Sequence, residues 1–282
     1  MPADAVLVTG AGGYLGRHVV TALADRGHRV LAAVRPGSTA DLDARAEVIE
    51  VDVLDPGLDL AVFGADLPGT VIHLAWQDGF THNAPSHMLN LSAHYRFLDG
   101  LVGAGVGRLA VLGTMHEVGY WEGAITADTP TKPLSLYGIA KDALRSAAFT
   151  SWAEKTELQW LRCYYILGDD HRNRSVFTRI LEAAERGERE FPFTSGKNRY
   201  DFIDVAELGR QIAVVAGAPD VSGIINCCTG EPRSLREQAE WFIADRGLDI
   251  ELKLGAFPDR PYDSPGTWGD ATQIRELMAR YA

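Results

Sequence analysis

The stretch Val8-Thr9-Gly10-Ala11-Gly12-Gly13-Tyr14-Leu15-Gly16 decides the fold. It joins an apolar run, Ala5–Thr9, to an amphipathic stretch, Leu15–Arg26, that Gly27 closes. Glycines at 10, 13 and 16 give a GxxGxxG spacing; GxGxxG is ruled out because position 15 is leucine. A strand that ends in such a turn and opens a helix is the context in which a dinucleotide pyrophosphate binds. Glycine permits the tight turn and a close backbone approach, and the helix N-terminus offers N–H groups that no carbonyl has taken. Gly10, Gly13, Tyr14, Leu15 and Gly16 are therefore candidate cofactor-binding residues.

Outward from this turn, short apolar runs alternate with amphipathic ones. Val30–Val34, Val48–Val51, Thr70–Leu74, Arg108–Leu112 and Leu158–Tyr164 read as strands, and Met88–Ala104 and Tyr137–Glu154 as helices. Strands alternating with helices imply a parallel sheet covered on both faces, an α/β, doubly wound Rossmann fold. After Gly168 the rhythm changes. Asp169–Arg174 is polar and loop-like, Val176–Arg186 and Ser234–Arg246 read as helices, and 255–269 is rich in Pro and Gly. The expected organisation is a dinucleotide-binding domain over 1–165, completed by about 200–228, with a smaller substrate-binding region from 166–199 and 229–282.

Composition narrows the function classes. A formal charge of −11 over 282 residues argues against nonspecific binding to nucleic acid or to anionic membranes. No apolar run is long enough to span a bilayer, and the N-terminus has no basic region before its first strand, so a cytoplasmic location is expected. Cys163, Cys227 and Cys228 sit in apolar runs without CxxC or Cys/His metal spacing; they read as buried small hydrophobes, and no metal site is expected.

The residues after the second strand bear on the cofactor. An acidic side chain there would accept the ribose 2′-hydroxyl, and an arginine would suit a 2′-phosphate. The sequence reads Ala33-Val34-Arg35-Pro36-Gly37-Ser38, without Asp or Glu. Arg35 and Ser38, with Arg17 nearby, favour NADP(H) and leave NAD(H) open.

The second chemical signal is Leu136-Tyr137-Gly138-Ile139-Ala140-Lys141. Residues four apart share a helix face, so Tyr137 and Lys141 project together. A phenol titrates near pH ~10, and an adjacent ammonium favours its ionised form, which suits proton exchange with a carbonyl oxygen. YxxxK alone occurs by chance on many helices; downstream of the glycine turn it carries weight.

With TGAGGYLG and YGIAK together, the chain resembles the extended short-chain dehydrogenase/reductase family, which includes sugar-nucleotide epimerases, dehydratases and ketoreductases. The resemblance implies that Asp52 and Val53 lie near the adenine and that Leu74 and Ala75, ending Val71-Ile72-His73-Leu74-Ala75, run along the cofactor. It implies a hydroxyl donor after the fifth strand: Thr114 is the natural candidate, although an ungapped count back from Val118 reaches Met115. His116 and Glu117 fall where the dehydratases carry an acid/base pair, of which only the glutamate remains, and they are candidate substrate contacts. Arg199, opening Arg199-Tyr200-Asp201-Phe202-Ile203, and Arg260 are candidates for gripping a nucleotide diphosphate, since guanidinium bonds phosphate in bidentate fashion. Asn226-Cys227-Cys228-Thr229-Gly230 resembles the family's N-x-G-x-G strand and turn.

By the same resemblance the leading expectation is reduction of the C4 carbonyl of a nucleotide-linked 4-keto-6-deoxyhexose, with dTDP as the first candidate nucleotide. Tyr137 would give the proton, Thr114 would bond the same oxygen, and Lys141 would hold the cofactor ribose. The rivals are an epimerase with tightly held NAD, a non-catalytic NADP(H)-binding sensor, and a reductase of a non-nucleotide ketone. The family commonly pairs as a homodimer through the helices corresponding to Met88–Ala104 and Tyr137–Glu154.

Overall fold

The computed structural model describes residues 5–64, 67–168, 173, 175–259 and 264–282; Arg260 and most of the polar stretch 169–174 lie outside them. In chain order the strands are β1 (Val6–Thr9), β2 (Val30–Val34), β3 (Glu47–Glu50), β4 (Thr70–His73), β5 (Arg108–Thr114), β6 (Gly123–Ile125) and β7 (Glu157–Cys163). They continue as β8 (Tyr165–Leu167), β9 (Glu190–Pro192), β10 (Arg199–Asp204), β11 (Gly223–Cys227), β12 (Pro232–Ser234), β13 (Glu251–Lys253) and β14 (Gly266–Gly269). The helices are α1 (Gly16–Asp25), α2 (Ser86–Leu89), α3 (Leu91–Gly103), α4 (Leu136–Trp152), α5 (Val176–Glu185), α6 (Val205–Gly217), α7 (Leu235–Asp245) and α8 (Thr272–Tyr281). None of the described helices is long and apolar enough to cross a membrane.

The main sheet has the order β11-β7-β5-β4-β1-β2-β3, parallel throughout. This is the doubly wound order, and its direction reverses between β1 and β4, where such sheets leave a crevice beyond their carboxyl ends. β1, β2 and β4 are buried along their whole length, which is why they read as continuous apolar runs. Successive side chains of a strand point to opposite faces. Val6 and Val8 accordingly join a core with Val19 and Leu23 of α1 and Leu208 and Ile212 of α6. Leu7 faces the other way, into a core with Leu98 and Leu101 of α3 and Leu144, Ala148 and Trp152 of α4.

A second sheet runs β12-β10-β14-β6, with β8 beside β10, and β9 pairs with β13. Its own apolar cluster gathers Phe177 and Ile180 of α5, Phe191, Phe202 and Phe242. The two sheets interleave in sequence. β6 comes from the first half of the chain and pairs with β14, whereas β11, from the second half, edges the main sheet against β7. The fully buried Asp201 of β10 ties them together: its carboxylate accepts bonds from Thr229 N and Oγ1, Gly230 N and Gly269 N. The three cysteines are free and buried.

Several boundaries depart from the sequence reading. The helix expected over Met88–Ala104 is two, α2 and α3, joined at Asn90. α2 is a single turn opened by Pro85, whose missing N–H costs nothing at a helix start. β5 extends two residues beyond Leu112 because Thr114 still pairs with Cys163 of β7. α6 and α8 were not anticipated. Asp204 caps α6 by accepting from Ala206 and Glu207 N–H groups, a start signal that stands in the sequence.

Candidate active site

The crevice at the β1/β4 reversal is a cleft of about 670 Å³, within the usual range for cofactor pockets. Gly10 forms its base with φ +68°, and a Cβ there would lie 2.7 Å from Ala75 N at the end of β4. A Cβ on Gly16 would lie 2.1 Å from the Gly10 carbonyl oxygen. Leu15 is buried at the N-cap of α1, where no side chain caps the helix and no acidic residue stands in the first turn. The first N–H groups of α1 therefore keep their positive character for an anion, and this uncapped end, with the glycine cradle before it, fits a dinucleotide pyrophosphate. Gly13, Arg35, Ser38, Asp52, Val53, Leu74 and Ala75 line the same cleft. Arg17 follows in the first turn of α1. Tyr14 donates its hydroxyl to the Gly168 carbonyl (2.7 Å), and its ring meets Phe80 edge-on.

Tyr137 and Lys141 lie one turn apart at the start of α4. Ser135 Oγ caps that helix by accepting from Gly138 N (3.2 Å). The loop after β4 completes the cap: His82 O accepts from Tyr137 N (2.8 Å), and Asn83 Oδ1 from Leu136 N (3.1 Å). Gly138 packs against the His116 backbone so closely that a Cβ would meet the His116 carbonyl oxygen at 2.4 Å. Lys141 is buried; its Nζ donates to Leu112 O (2.7 Å) and stands 3.8 Å from the centre of the Trp76 ring. Burial pulls its ammonium down to about 7, with Glu117 and Cys163 opposing. Burial also pushes the Tyr137 phenol up, Cys163 adds to this, and a side-chain hydrogen bond with Thr114 opposes it. The lysine is expected to draw the phenol down; in the fold burial dominates, the phenol is raised instead, and Tyr137 stays protonated at neutral pH.

Thr114 ends β5 in extended conformation, buried, with its hydroxyl against Tyr137 and accepting from His116 N (3.3 Å). Met115 turns into the apolar core. Glu117 does not face the cleft. It is fully buried under one turn of 3₁₀ helix, Met115–Glu117, where its Oε1 accepts from Thr114 N (2.7 Å) and Trp160 Nε1 (2.9 Å). Its Oε2 lies 3.6 Å from Arg162 and 3.8 Å from Arg145. Burial pushes its carboxyl up, and Arg162 is the main opposing influence. Thr114 and Glu117 thus form a reciprocal capping box.

His116 is close to Tyr137 (ring centres 6.0 Å apart) and to His82 (4.3 Å). Burial first, then His82, holds its imidazole down to about 3, so it is neutral. Arg199 starts β10 and is exposed, with its guanidinium donating to Pro232 O (2.8 Å). Arg260 lies outside the described residues, so only one member of the expected diphosphate clamp has a place. The residues that sequence reasoning missed are Trp76, His82, His87 and His94, all within the Tyr137–Lys141 surroundings.

Comparison with known proteins agrees with this geometry. The profile described as NAD dependent epimerase/dehydratase family matches residues 6–228. The dTDP-6-deoxy-L-talose 4-dehydrogenase (NAD(+)) of Aggregatibacter actinomycetemcomitans is 43% identical over 94% of this chain and 98% of its own. The 2′-dehydrokanamycin reductase of Streptomyces kanamyceticus is 31% identical over 96% of this chain and 72% of its own. The structure of MoeE5 in complex with UDP-glucuronic acid and NAD superposes with a TM-score of 0.79 at 28% identity, covering 97% of this chain and 92% of that one. With the profile spanning both the glycine turn and the Tyr137–Lys141 helix, the chain belongs to the NAD dependent epimerase/dehydratase family, in its extended short-chain dehydrogenase/reductase form.

Proposed function

We propose that the protein is a nicotinamide-dependent oxidoreductase acting at C4 of a nucleotide-linked 6-deoxyhexose, with a dTDP-linked 4-keto sugar as the substrate reduced. The observation that carries this reading is the near-full-length match to a dTDP-6-deoxy-L-talose 4-dehydrogenase. The meeting of Thr114, Tyr137 and Lys141 beside the dinucleotide cleft supports it.

Gly10, Gly13 and Gly16 would hold the pyrophosphate against the N-terminus of α1, Asp52 and Val53 would hold the adenine, and Leu74 and Ala75 would line the rest of the dinucleotide. When bound, the nicotinamide supplies or accepts the hydride. Tyr137, kept protonated by burial, gives its proton to the C4 oxygen as charge develops there. Thr114 bonds the same oxygen, and Lys141 holds the ribose hydroxyls. Arg199, with Arg260, takes the substrate diphosphate. His116 touches the sugar, and Glu117 acts through Thr114, whose N–H it anchors.

The NADP(H) preference read from Arg35 and Ser38 gains no support from the dTDP-6-deoxy-L-talose 4-dehydrogenase or the MoeE5 complex, whose names carry NAD. Arg35 nonetheless lines the cleft, so both dinucleotides belong in the assay. Pairing of two copies through α2, α3 and α4 is part of the proposal; the exposed Leu89 (76%) and Ile139 (39%) on these helices support it.

The test is absorbance at 340 nm with NADH and NADPH in parallel and dTDP-4-keto-6-deoxyglucose, with and without a 3,5-epimerase. Substrate-dependent loss of reduced cofactor that Tyr137→Phe abolishes is the expected result. A new sugar nucleotide formed without loss of cofactor would replace this reading with an epimerase.

A further inference from the structure

We propose that Trp76 is a positioning residue of the active site: its indole holds the Lys141 side chain in place as a cation–π platform. The contact is direct, with Nζ 3.8 Å from the ring centre, and the same ammonium donates a hydrogen bond to Leu112 O at 2.7 Å. An ammonium over an indole face is attracted by the ring quadrupole, more strongly when desolvated; here Lys141 is buried and Trp76 half-buried at the wall of the cleft.

The indole is itself locked. Trp76 Nε1 donates to His87 Nδ1 (3.0 Å). His87 must then carry its own proton on Nε2, which donates to Thr81 O (3.0 Å). The His94 ring stacks on Trp76 with centres 4.4 Å apart and planes 12° from parallel. His94 Nδ1 bonds His73 Nε2 (3.0 Å), and His73 Nδ1 bonds Thr9 Oγ1 (2.8 Å) at the end of β1. The platform is thereby tied to the strand that carries the glycine turn.

The groups facing Lys141 from each surrounding element leave the indole a clear task. Tyr137 on α4 is a neutral phenol, and Cys163 on β7 is a buried thiol. His73 on β4 and His94 on α3 are kept neutral by burial. His87 on α2 accepts from the indole itself. Glu117 is the one described carboxylate acting on it, and that carboxylate is shared with Arg162 and Arg145. Beside the Leu112 carbonyl, Trp76 supplies an aromatic face to the ammonium.

The contact can be read without substrate or cofactor. The chain has six tryptophans, so the emission of wild type minus that of Trp76→Phe isolates this indole. Followed from pH 5.5 to 9.5, that difference is expected to show a transition near pH 7 that Lys141→Met removes. A flat difference, or a transition that survives in Lys141→Met, overturns the proposal. The catalytic consequence rests on the oxidoreductase reading. There, Trp76→Leu is expected to move the high-pH limb of kcat down by about one unit, and Trp76→Phe to restore it. Equal losses in both variants with no shift of the limb would make Trp76 mere packing and overturn its positioning role. Absence of turnover in wild type would sink the oxidoreductase reading alone, because the emission titration still decides the contact.

Discussion

The backbone N–H of Tyr137 donates to the carbonyl of His82, 2.8 Å away, so the loop after β4 supplies part of the N-terminal cap of the helix that carries the proposed proton donor. The candidate cofactor cleft and the proposed proton donor are thus joined by backbone, and a change in that loop is expected to be felt at the phenol.

Tyr137→Phe removes the proposed proton donor and leaves its packing. Turnover of the 4-keto sugar nucleotide is expected to fall by about 10²–10⁴-fold. Dinucleotide affinity and Tm should stay near wild type. Loss of binding in parallel with loss of turnover would assign the tyrosine a structural role.

Gly10→Ala places a methyl group against Ala75 N on a residue with φ +68°. The strain is of order 1–3 kcal/mol. Titration calorimetry should show weakened dinucleotide binding, together with a lowered Tm. Gly27→Ala, also at positive φ but with open space around its Cβ, separates the two costs: it should lower Tm and leave binding alone.

Glu117→Ala breaks a buried charge network and frees the Thr114 N–H. A loss of about 3–5 kcal/mol in urea unfolding is expected, as for other buried pairs stripped of one partner. Glu117→Gln keeps the acceptor for Thr114 and Trp160 and should retain more stability and turnover. The Glu117 carboxyl is raised by burial, so its own contribution is fully present at low pH and declines as pH rises through that raised value. The glutamine variant should lack this decline.

Lys141 titrates near 7 in the fold against 10.5 in the open chain. Between those values the unfolded state binds the extra proton, so this group makes stability rise with pH across that window. Lys141→Met removes the effect. In cofactor-free protein the Tm of the variant minus that of wild type is expected to be largest below pH 7 and to shrink toward pH 10. A difference independent of pH would contradict the buried, depressed lysine.

Arg35→Asp tests the adenosine end of the cleft. If Arg35 meets a 2′-phosphate, affinity for NADPH should fall by about 10–100-fold while NADH binding holds or improves. Unchanged affinity for both would place Arg35 in solvent.

The local patterns were the legible ones. The glycine turn and the Tyr137–Lys141 spacing are each set within one turn of chain, and the apolar strands announced the sheet because both its faces are covered. The imidazoles around Trp76 were not legible, since His73, His87 and His94 come from β4, α2 and α3 and meet only when the chain has folded. Glu117 was read toward the substrate, although Thr114-Met115-His116-Glu117 also spells a capping box, and that local pattern turns the carboxylate inward. The break at Asn90 escaped because apolar periodicity continues across it.

The exchange of β6 and β11 between the two sheets has a consequence for how the protein comes into being. Neither sheet can be finished by one uninterrupted half of the chain. A ribosome that has just released α4 has made Tyr137 and Lys141 but not β11, the neighbour of β7, nor the glycine turns that Asp201 gathers. The candidate site therefore matures late in synthesis, and a fragment ending after β7 should behave as an unfinished sheet with an open edge, one that chaperones hold and proteases find.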